Sequence, residues 1–253
     1  MIFETHAHYD DDRFEEDRDA LLRCLPQEGV GVVINSGASV ESTRDTIRLA
    51  GEYDHVYAAV GVHPSEIEEL DETFMEWMEE QTSWEKTVAI GEIGLDYYYD
   101  DNPPSVQKAA FLRQMELAAE TGLPVVIHDR DAHGDTLDIV RRVPTVKGVF
   151  HCYSGSAEMA KEVVKLGYYV GFTGVITFKN ARKAVEALQS VPLDRILMET
   201  DCPYMAPEPH RGKRCDSRLL PCTVQRAAEL CGISAEEMAE ITEQNAKRLF
   251  GIA

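Results

Sequence analysis

The fold of this chain is decided by the segment from residue 87 to residue 128, which contains TVAIGEIGLD (87–96), VQKAAFLRQMELAAET (106–121) and GLPVVIH (122–128). The apolar run Thr87–Ile93 predicts a buried strand, and Val106–Thr121 has the periodic apolar positions of an amphipathic helix. The turn GLP then ends this helix and opens the next strand, Pro124–His128. A strand, a helix and a second strand in this order predict a parallel βαβ unit.

The same alternation continues along the whole chain. Six further strands are predicted at Ile2–His6, Val30–Asn35, Val56–Val62, Lys147–His151, Tyr168–Thr173 and Arg195–Asp201. Further helical patterns cover Arg13–Glu28, Val40–Tyr53, Asp71–Gln81, Asp135–Val143, Ala157–Leu166, Asn180–Gln189, Thr223–Cys231 and a last helix that begins at Ser234. Eight such units without a break in composition predict an α/β fold, a single-domain (β/α)8 or TIM barrel over residues 1–253. The alternative is a doubly wound sheet, but no GxGxxG follows the first strand.

The composition predicts a cytoplasmic protein that does not enter a membrane. Apolar residues make up 44% of the 253 residues, and no run approaches the roughly 18 apolar residues of a transmembrane helix. The first residues, MIFETHAHYDDD, lack the basic start and apolar centre of a signal peptide. The six cysteines show no CxxC spacing, so free thiols are expected.

The charge balance is strongly acidic, with 25 basic and 45 acidic residues and a net charge of −20. This balance argues against a broad basic surface for duplex nucleic acid. It does not exclude a phosphate substrate, because bound cations add positive charge at the site itself. Between Ser65 and Glu85 there are nine acidic and no basic residues, which is typical of a solvated helix face.

Imidazoles and carboxylates stand where predicted strands end, at the face on which barrels carry their active sites. His6 and His8 are two residues apart, so an extended backbone points both to one side. Nitrogen and oxygen donors of this kind bind divalent metals, which activate water for hydrolysis. The candidate ligands are His6, His8, Glu92, His128, His151 and Asp201. We therefore expect a metal-dependent hydrolase.

Other residues on the same face have weaker signals. His63, in VGVHPSE, follows the third strand and is a candidate for a ligand-supporting or substrate-contacting role. The long loop after the eighth strand carries the densest basic patch of the chain, HRGKR at residues 210–214. Because guanidinium groups match phosphate oxygens, this patch favours an anionic substrate. Cys152 and Cys202 each follow a candidate ligand, and alternation predicts that both thiols are packed away from it.

Several motifs resemble the TatD-type metal-dependent deoxyribonucleases, a branch of the amidohydrolase-like barrels. They are THAH, GVHP, GEIGLDYY, PVVIH, FHCYSG, ETDCPY, PHRGKR and NAKRLF, in order and nearly from end to end. The resemblance implies a TIM barrel that binds two or more divalent metal ions, Mg²⁺, Mn²⁺ or Zn²⁺. It also implies hydrolysis of phosphodiester bonds, typically 3′–5′ exonuclease action on single-stranded DNA or RNA ends, and no obligate protein partner is expected.

The resemblance also assigns roles to residues of this chain. It implies that His6, His8, Glu92 and Asp201 hold one metal, and that Glu92 bridges to a second metal held by His128 and His151. It implies that His63 and Arg211 contact the scissile phosphate. Asp201 is then the candidate that accepts the proton of the attacking water.

The chain departs from the family pattern at three places. Glu4 stands where the family usually has Asp, and Ser65 follows HP where many members carry another His. The loop Cys215–Cys222 replaces the family's usual Asn-Glu-Pro and following His. Because a barrel with metals does not by itself select a substrate, another ester or an amide, such as an aminoacyl ester or a lactone, stays an alternative, and a non-catalytic metal-binding protein is a weaker one.

Overall fold

Eight parallel strands form one sheet in the computed structural model, which describes residues 1–99 and 102–253. Each strand is hydrogen-bonded to the next in chain order. The strands are β1 (Ile2–Ala7), β2 (Val30–Ser36), β3 (Val56–Val60), β4 (Thr87–Asp96), β5 (Val125–Arg130), β6 (Gly148–Phe150), β7 (Tyr169–Phe172) and β8 (Ile196–Met198). The predicted (β/α)8 barrel is confirmed.

The barrel closes between β8 and β1 through a short seam. Ala7 and Cys202 form a single parallel bridge, and the Asp201 amide donates to the His6 carbonyl at 3.0 Å. The Glu4 carboxylate accepts from the Thr200 amide at 2.8 Å and from the Thr200 hydroxyl at 2.7 Å. At this seam the buried Glu4 side chain therefore replaces some of the backbone hydrogen bonds that a longer pairing of β8 with β1 would form.

Helices follow the strands around the outside of the barrel. They are α1 (Arg18–Cys24), α2 (Val40–Glu52), α3 (Glu72–Gln81), α4 (Pro104–Thr121), α5 (His133–Arg142), α6 (Ala157–Lys165), α7 (Arg182–Ser190), α8 (Leu220–Cys231) and α9 (Ala235–Phe250). Among the helices of the described residues, none combines the length and the apolar character that a transmembrane span requires.

Two predicted elements differ from expectation by several residues. The helix predicted at Arg13–Glu28 divides into a 3-10 helix at Asp12–Phe14 and α1, because the Asp11 carboxylate caps the first and the chain leaves helical geometry at Asp17. The strand predicted at Arg195–Asp201 ends at Met198. Beyond it Thr200 bonds to the Glu4 side chain instead of a neighbouring strand, and Asp201 adopts a positive φ of 59°.

A cluster of buried apolar side chains fills the barrel toward the N-terminal ends of the strands. It takes at least one residue from every strand, and α9 adds Ala246 and Phe250. The second and larger cluster packs the helices against the outside of the strands. Apolar packing therefore occupies one end of the barrel and leaves the other to polar groups.

Candidate metal centre

Irregular backbone in β1 turns two histidines into the barrel. Phe3 belongs to the interior cluster and Ala7 to the outer one, although strict alternation would place both on the same side. The pairing of β1 with β2 shifts register between Glu4 and Ala7, which reverses the alternation. His6 and His8 consequently face the interior, where both are buried.

A similar irregularity in β4 positions Glu92. The register of β4 against β5 shifts between Ile90 and Ile93. The next glycine, Gly94, has a φ of 146°, and a Cβ there would lie 1.9 Å from the His128 carbonyl oxygen. Only glycine fits this close approach, which explains one glycine of the GEIG motif.

The first group of donor atoms surrounds a single point at the β1–β8 side of the barrel. His6 Nε2 and His8 Nε2 lie 3.0 Å apart, and each lies 3.3 Å from Glu92 Oε2. Asp201 Oδ1 lies 3.6 Å from His6 Nε2 and 3.5 Å from His8 Nε2. We call these four atoms the first cluster.

The second group faces the other oxygen of Glu92. Oε1 lies 2.8 Å from His128 Nδ1 and 2.6 Å from His151 Nε2, and these two nitrogens are 3.3 Å apart. His63 Nε2 lies at the edge of this group, 3.8 Å from Oε1. We call Glu92 Oε1, His128 Nδ1 and His151 Nε2 the second cluster, so Glu92 belongs to both.

The donor sets fit divalent metal ions. Ligand atoms about 2.0–2.2 Å from one ion are separated from one another by about 3.0–3.5 Å, close to the distances in the first cluster. Within the described residues, neither Glu92 nor Asp201 forms an ion pair with a lysine or arginine. Buried carboxylates without a basic partner are costly, and a bound cation would remove that cost.

The second nitrogen of most of these imidazoles has a partner that fixes the ring. His8 Nδ1 lies 2.9 Å from the Ser36 carbonyl, and His6 Nδ1 lies 3.2 Å from the Ser36 hydroxyl. His128 Nε2 lies 3.1 Å from Asp96 Oδ2. Such partners orient metal-binding histidines and select which nitrogen binds.

His151 has a different environment. Its Nδ1 is buried without a hydrogen-bond partner among the described residues, and Glu199 Oε1 lies 3.8 Å away. Glu199 is fully buried, accepts from the Thr5 hydroxyl at 3.1 Å and from the Cys152 amide, and fits because Gly171 has no Cβ to contact it. A small movement of either side chain would complete a carboxylate–histidine pair.

Burial and neighbouring charges shift the pKa values of the histidines in and beside the clusters in opposite directions. Burial lowers the pKa of His6 to about 4 and that of His63 to about 3, which leaves both neutral and able to donate a lone pair. Burial opposes protonation of His128 as well, but hydrogen bonds with Asp96 and Glu92 outweigh it and raise its pKa to about 9. A metal that binds His128 must therefore displace a proton.

The carboxylates of the clusters stay ionised for a related reason. Burial alone would raise the pKa of Glu92, but the charge of His151 and hydrogen bonds with His128 and His151 outweigh burial and hold the pKa well below its usual range. Hydrogen bonding with His8 likewise outweighs burial and lowers the pKa of Asp201. Glu199 differs, because burial raises its pKa to about 7.

Two of the predicted site residues lie outside the clusters. His63 is close to the second cluster and is grouped with Glu92 and His128 as a potential ligand set, and its Nδ1 lies 2.7 Å from the Ser65 hydroxyl. Arg211 is exposed, and its guanidinium lies 4.2 Å from the ring centroid of Phe178, between the loops that follow β7 and β8. Among the described residues it makes no ion pair with either cluster.

The sequence interpretation missed the groups that support the clusters. Asp96 ends β4, the strand that carries Glu92, so its strand-end position was an available signal. Glu199 lies two residues before Asp201, but it follows the end of β8, where strand alternation no longer predicts its direction. Cys152 and Cys202 are not among the donors, as expected; Cys202 is fully buried and the Cys152 Sγ lies 3.7 Å from the Thr173 hydroxyl.

Comparisons with known proteins agree with this architecture. The family described as TatD related DNase matches residues 3–251. A Bacillus subtilis (strain 168) protein named uncharacterized metal-dependent hydrolase YabD is 40% identical over 100% of both chains. The Escherichia coli (strain K12) protein named 3'-5' ssDNA/RNA exonuclease TatD is 31% identical, again over 100% of both.

A solved structure gives the same result at the level of the fold. The crystal structure of YjjV, a TatD homologue from Escherichia coli K12, superposes with a TM-score of 0.93 at 31% identity, over 100% of this chain and 98% of that one. The match covers the strands that carry both clusters as well as the surrounding helices. The chain belongs to the TatD-related DNase family and is a metal-dependent hydrolase.

Proposed function

We propose that this protein hydrolyses phosphodiester bonds as a 3′–5′ exonuclease on single-stranded DNA or RNA. The observation that carries the proposal is the position of Glu92, whose two carboxylate oxygens face two separate donor clusters. This arrangement suits a pair of cations that act on one phosphoryl group. The relative named 3'-5' ssDNA/RNA exonuclease TatD, at 31% identity, supports the choice of substrate.

The residues that would hold the cations follow from the clusters. His6, His8, Asp201 and one oxygen of Glu92 would hold one ion, and His128, His151 and the other oxygen of Glu92 would hold a second. Mixed imidazole and carboxylate donors are compatible with Zn²⁺ and Mn²⁺, and Mg²⁺ would rely more on the carboxylates and water. When bound, such ions neutralise charge on phosphoryl oxygens and lower the pKa of water.

Asp201 is the group of this chain best placed to accept a proton from the attacking water. Its Oδ1 faces the two histidines of the first cluster. In the parts of the chain that the structure describes, Oδ2 accepts no hydrogen bond, and the side chain is 13% exposed, so water can reach it. The lowered pKa keeps the carboxylate ionised and available as a base.

His63 and Arg211 would orient the substrate. His63 stays neutral and accepts from the Ser65 amide through Nδ1, so the Nε2–H beside the second cluster can donate to a phosphate oxygen or to the leaving group. Arg211 lies on the loop after β8, and its stacking on Phe178 leaves the guanidinium donors available for a phosphate. Since the clusters are buried within the barrel mouth, a single strand or a frayed end can approach them more easily than a duplex.

The test uses purified protein with Mg²⁺, Mn²⁺ or Zn²⁺ and single-stranded oligonucleotides labelled at the 5′ end. A ladder that shortens from the 3′ end is expected, and Glu92→Ala and Asp201→Ala should abolish it. Glu76→Ala, which removes an exposed carboxylate from α3, is the matched control and should cleave like the wild type.

Two outcomes would overturn the proposal. Absence of cleavage with all three metals would do so, as would equal cleavage by the wild type and the Glu92 and Asp201 variants. Metal-dependent hydrolysis of an aminoacyl ester or a lactone, with oligonucleotides left intact, would instead identify the alternative substrate class.

A further inference from the structure

Exposed aromatic rings lie on two of the loops at the C-terminal end of the barrel. Within the described residues the exposed large apolar side chains include Tyr98, at 59%, and Tyr99, at 53%, both of which follow β4. Tyr204, at 47%, follows β8. Exposed apolar surface that is concentrated beside a groove or an active site often marks a ligand-binding surface.

The first group of rings follows β4 and is tied to the second cluster. Tyr98 and Tyr99 lie edge to face with centroids 4.9 Å apart, and the Arg130 guanidinium lies 3.8 Å from the centroid of Tyr98. Both tyrosine amides donate to Asp96 Oδ1, at 2.8 and 3.3 Å, while Asp96 Oδ2 holds His128. One carboxylate therefore ties the backbone of both tyrosines to a candidate ligand. We call Tyr98, Tyr99 and Arg130 the β4 platform.

The second group follows β8 and is tied to the first cluster. The Arg13 guanidinium lies 4.1 Å from the centroid of Tyr204 and is held by two hydrogen bonds with Asp11, at 2.9 and 3.0 Å. The Tyr204 amide donates to the Asp201 carbonyl at 2.9 Å. We call Tyr204 and Arg13 the β8 platform.

The two platforms lie on opposite sides of the barrel. The first joins β4 to β5 through Arg130, and the second joins β8 to the loop after β1 through Arg13. In a barrel whose eight strands follow chain order, these two pairs of strands face each other. The first and second clusters lie between them, so a chain that crosses the clusters meets one platform on each side.

We propose that the β4 and β8 platforms are nucleobase-stacking sites that hold the two bases on either side of the scissile phosphodiester. This inference rests on the proposed function and adds the part of the substrate that is recognised. Each platform offers an aromatic ring and a guanidinium, and both kinds of surface stack on bases without regard to sequence. Stacking therefore suits an enzyme that must accept successive nucleotides.

Because the protein is strongly acidic, base stacking should supply a large part of its affinity for an oligonucleotide. A net charge of −20 opposes general attraction of a phosphate backbone. Arg13 is also already paired with Asp11, which reduces its value as a free phosphate-binding cation. Binding of an oligonucleotide should then weaken only slightly with salt, in contrast to binding through a basic groove.

The test combines ring removal with base removal. Tyr98→Leu and Tyr204→Leu are assayed on a single-stranded DNA oligomer and on oligomers with an abasic unit at the terminal or the penultimate 3′ position. On intact DNA each variant should raise KM by about ten-fold with a smaller change in kcat. Tyr57→Leu is the matched control, because its ring also lies against a cation, Lys86, but packs at the opposite end of the barrel.

The expected result is that each tyrosine loses its effect when the base that it stacks on is absent. Equal KM increases on intact and abasic strands, or no increase at all, would overturn the proposal. Binding of a fluorescein-labelled, hydrolysis-resistant phosphorothioate oligomer, followed by anisotropy, gives the same comparison without turnover. Altered sedimentation of the variants with unchanged oligomer affinity would assign the rings to protein association and would also overturn it.

The proposed function and this inference fail in different ways. If wild-type protein cleaves no oligonucleotide with any metal, the exonuclease proposal fails. If the wild type cleaves and the tyrosine variants cleave equally well at limiting substrate, only the stacking proposal fails.

Discussion

The two ends of the barrel contain opposite kinds of side chain, although the same strands form both. At the C-terminal end, His6, Glu92 and His151 are buried together. At the N-terminal end, the Phe3 and Phe250 rings stack with centroids 6.1 Å apart within an apolar cluster. One end concentrates groups that are costly to bury, and the other concentrates groups whose burial favours folding.

The difference indicates how stability and activity are divided in this protein. The apolar end should contribute stability whether or not a metal is bound. The polar end should contribute much of its stability only when ions bind the folded chain, since ligands that bind only the native state stabilise it. Substitutions at each end test whether stability and activity are separated in this way.

The largest effect is expected for Glu92→Gln. This variant keeps the size of the side chain but removes the charge that both clusters share, so we expect both ions to bind weakly and phosphodiesterase kcat/KM to fall by about 10³-fold or more. The wild-type Tm should rise on addition of Mn²⁺, whereas the variant's Tm should stay constant. Metal content by mass spectrometry and thermal melts check this, with Glu76→Gln as the control. A variant that keeps its metal and its activity would contradict the role of Glu92.

The next effect concerns the apolar end. Phe250→Ala leaves a cavity against Phe3 and should lower the free energy of unfolding by about 3–5 kcal/mol. Because the site lies at the other end, kcat per folded molecule should not change. Urea denaturation and activity below the unfolding transition measure the two quantities, and Phe250→Leu should give a smaller loss. A parallel fall in kcat would show that the two ends are coupled.

A smaller effect is expected for Glu199→Gln, a buried substitution behind the second cluster. If Glu199 positions His151, metal affinity should fall by about 10- to 100-fold while the fold is retained. Competition with a chelator measures the affinity, and kcat at saturating metal should change less than affinity. Gly171→Ala is a second route to the same defect, because its Cβ would lie 2.5 Å from Glu199 Oε2.

The matched control is Glu4→Gln, another fully buried carboxylate at this end that bonds to Thr200. We expect it to alter stability more than metal affinity. Equal losses of affinity in the Glu4 and Glu199 variants would mean that Glu199 supports the fold in general and does not orient His151 in particular.

The sequence predicted the barrel and the residues that meet in its mouth, because both depend on local patterns. Apolar runs separated by helical periodicity are sufficient to count eight strands. Because the parallel strands of a barrel all end at one face, candidate ligands at strand ends can be expected to lie close together there. His128 and His151, which are far apart in sequence, are brought together in this way.

The exact direction of individual side chains could not be predicted. His6 faces inward only because β1 shifts register after Glu4, and such a shift depends on pairing with β2. The contact of Asp96 with His128 depends on the pairing of β4 with β5, and the position of Glu199 beside His151 depends on the turn after β8. A strand-end position such as that of Asp96 can be predicted from the sequence, but the direction of the side chain is set by tertiary contacts.

The smallest predicted effect compares two histidines that lie outside the clusters, one at each end. His133, the first residue of α5, is at the polar end, and its Nδ1 lies 2.8 Å from Asp129 Oδ2. That hydrogen bond raises the pKa of His133, with Asp131 adding to the effect and Lys183 opposing it. His55 precedes β3 at the apolar end, where burial lowers its pKa and Lys86 adds to the effect.

The two shifts give stability–pH profiles of opposite sign. Since the folded-state pKa of His133 is raised, its contribution is complete below the unfolded value of about 6.5 and is lost as the pH rises through the folded value. His55 has a lowered folded-state pKa, so the wild type loses stability as the pH falls below about 6.5. The loss of unfolding free energy caused by His133→Gln should therefore be larger at pH 6 than at pH 8.5. The loss caused by His55→Gln should be smaller at pH 6 than at pH 8.5. Each difference should be below about 1 kcal/mol because both residues are partly solvated.

Urea titrations of metal-free protein at the two pH values measure these differences, and subtracting the wild-type curve removes the titration of the cluster histidines. Profiles of the same sign in both variants would contradict the assignment. Opposite signs would show that the polar end stabilises a charged imidazole even outside the first and second clusters, whereas the apolar end disfavours one.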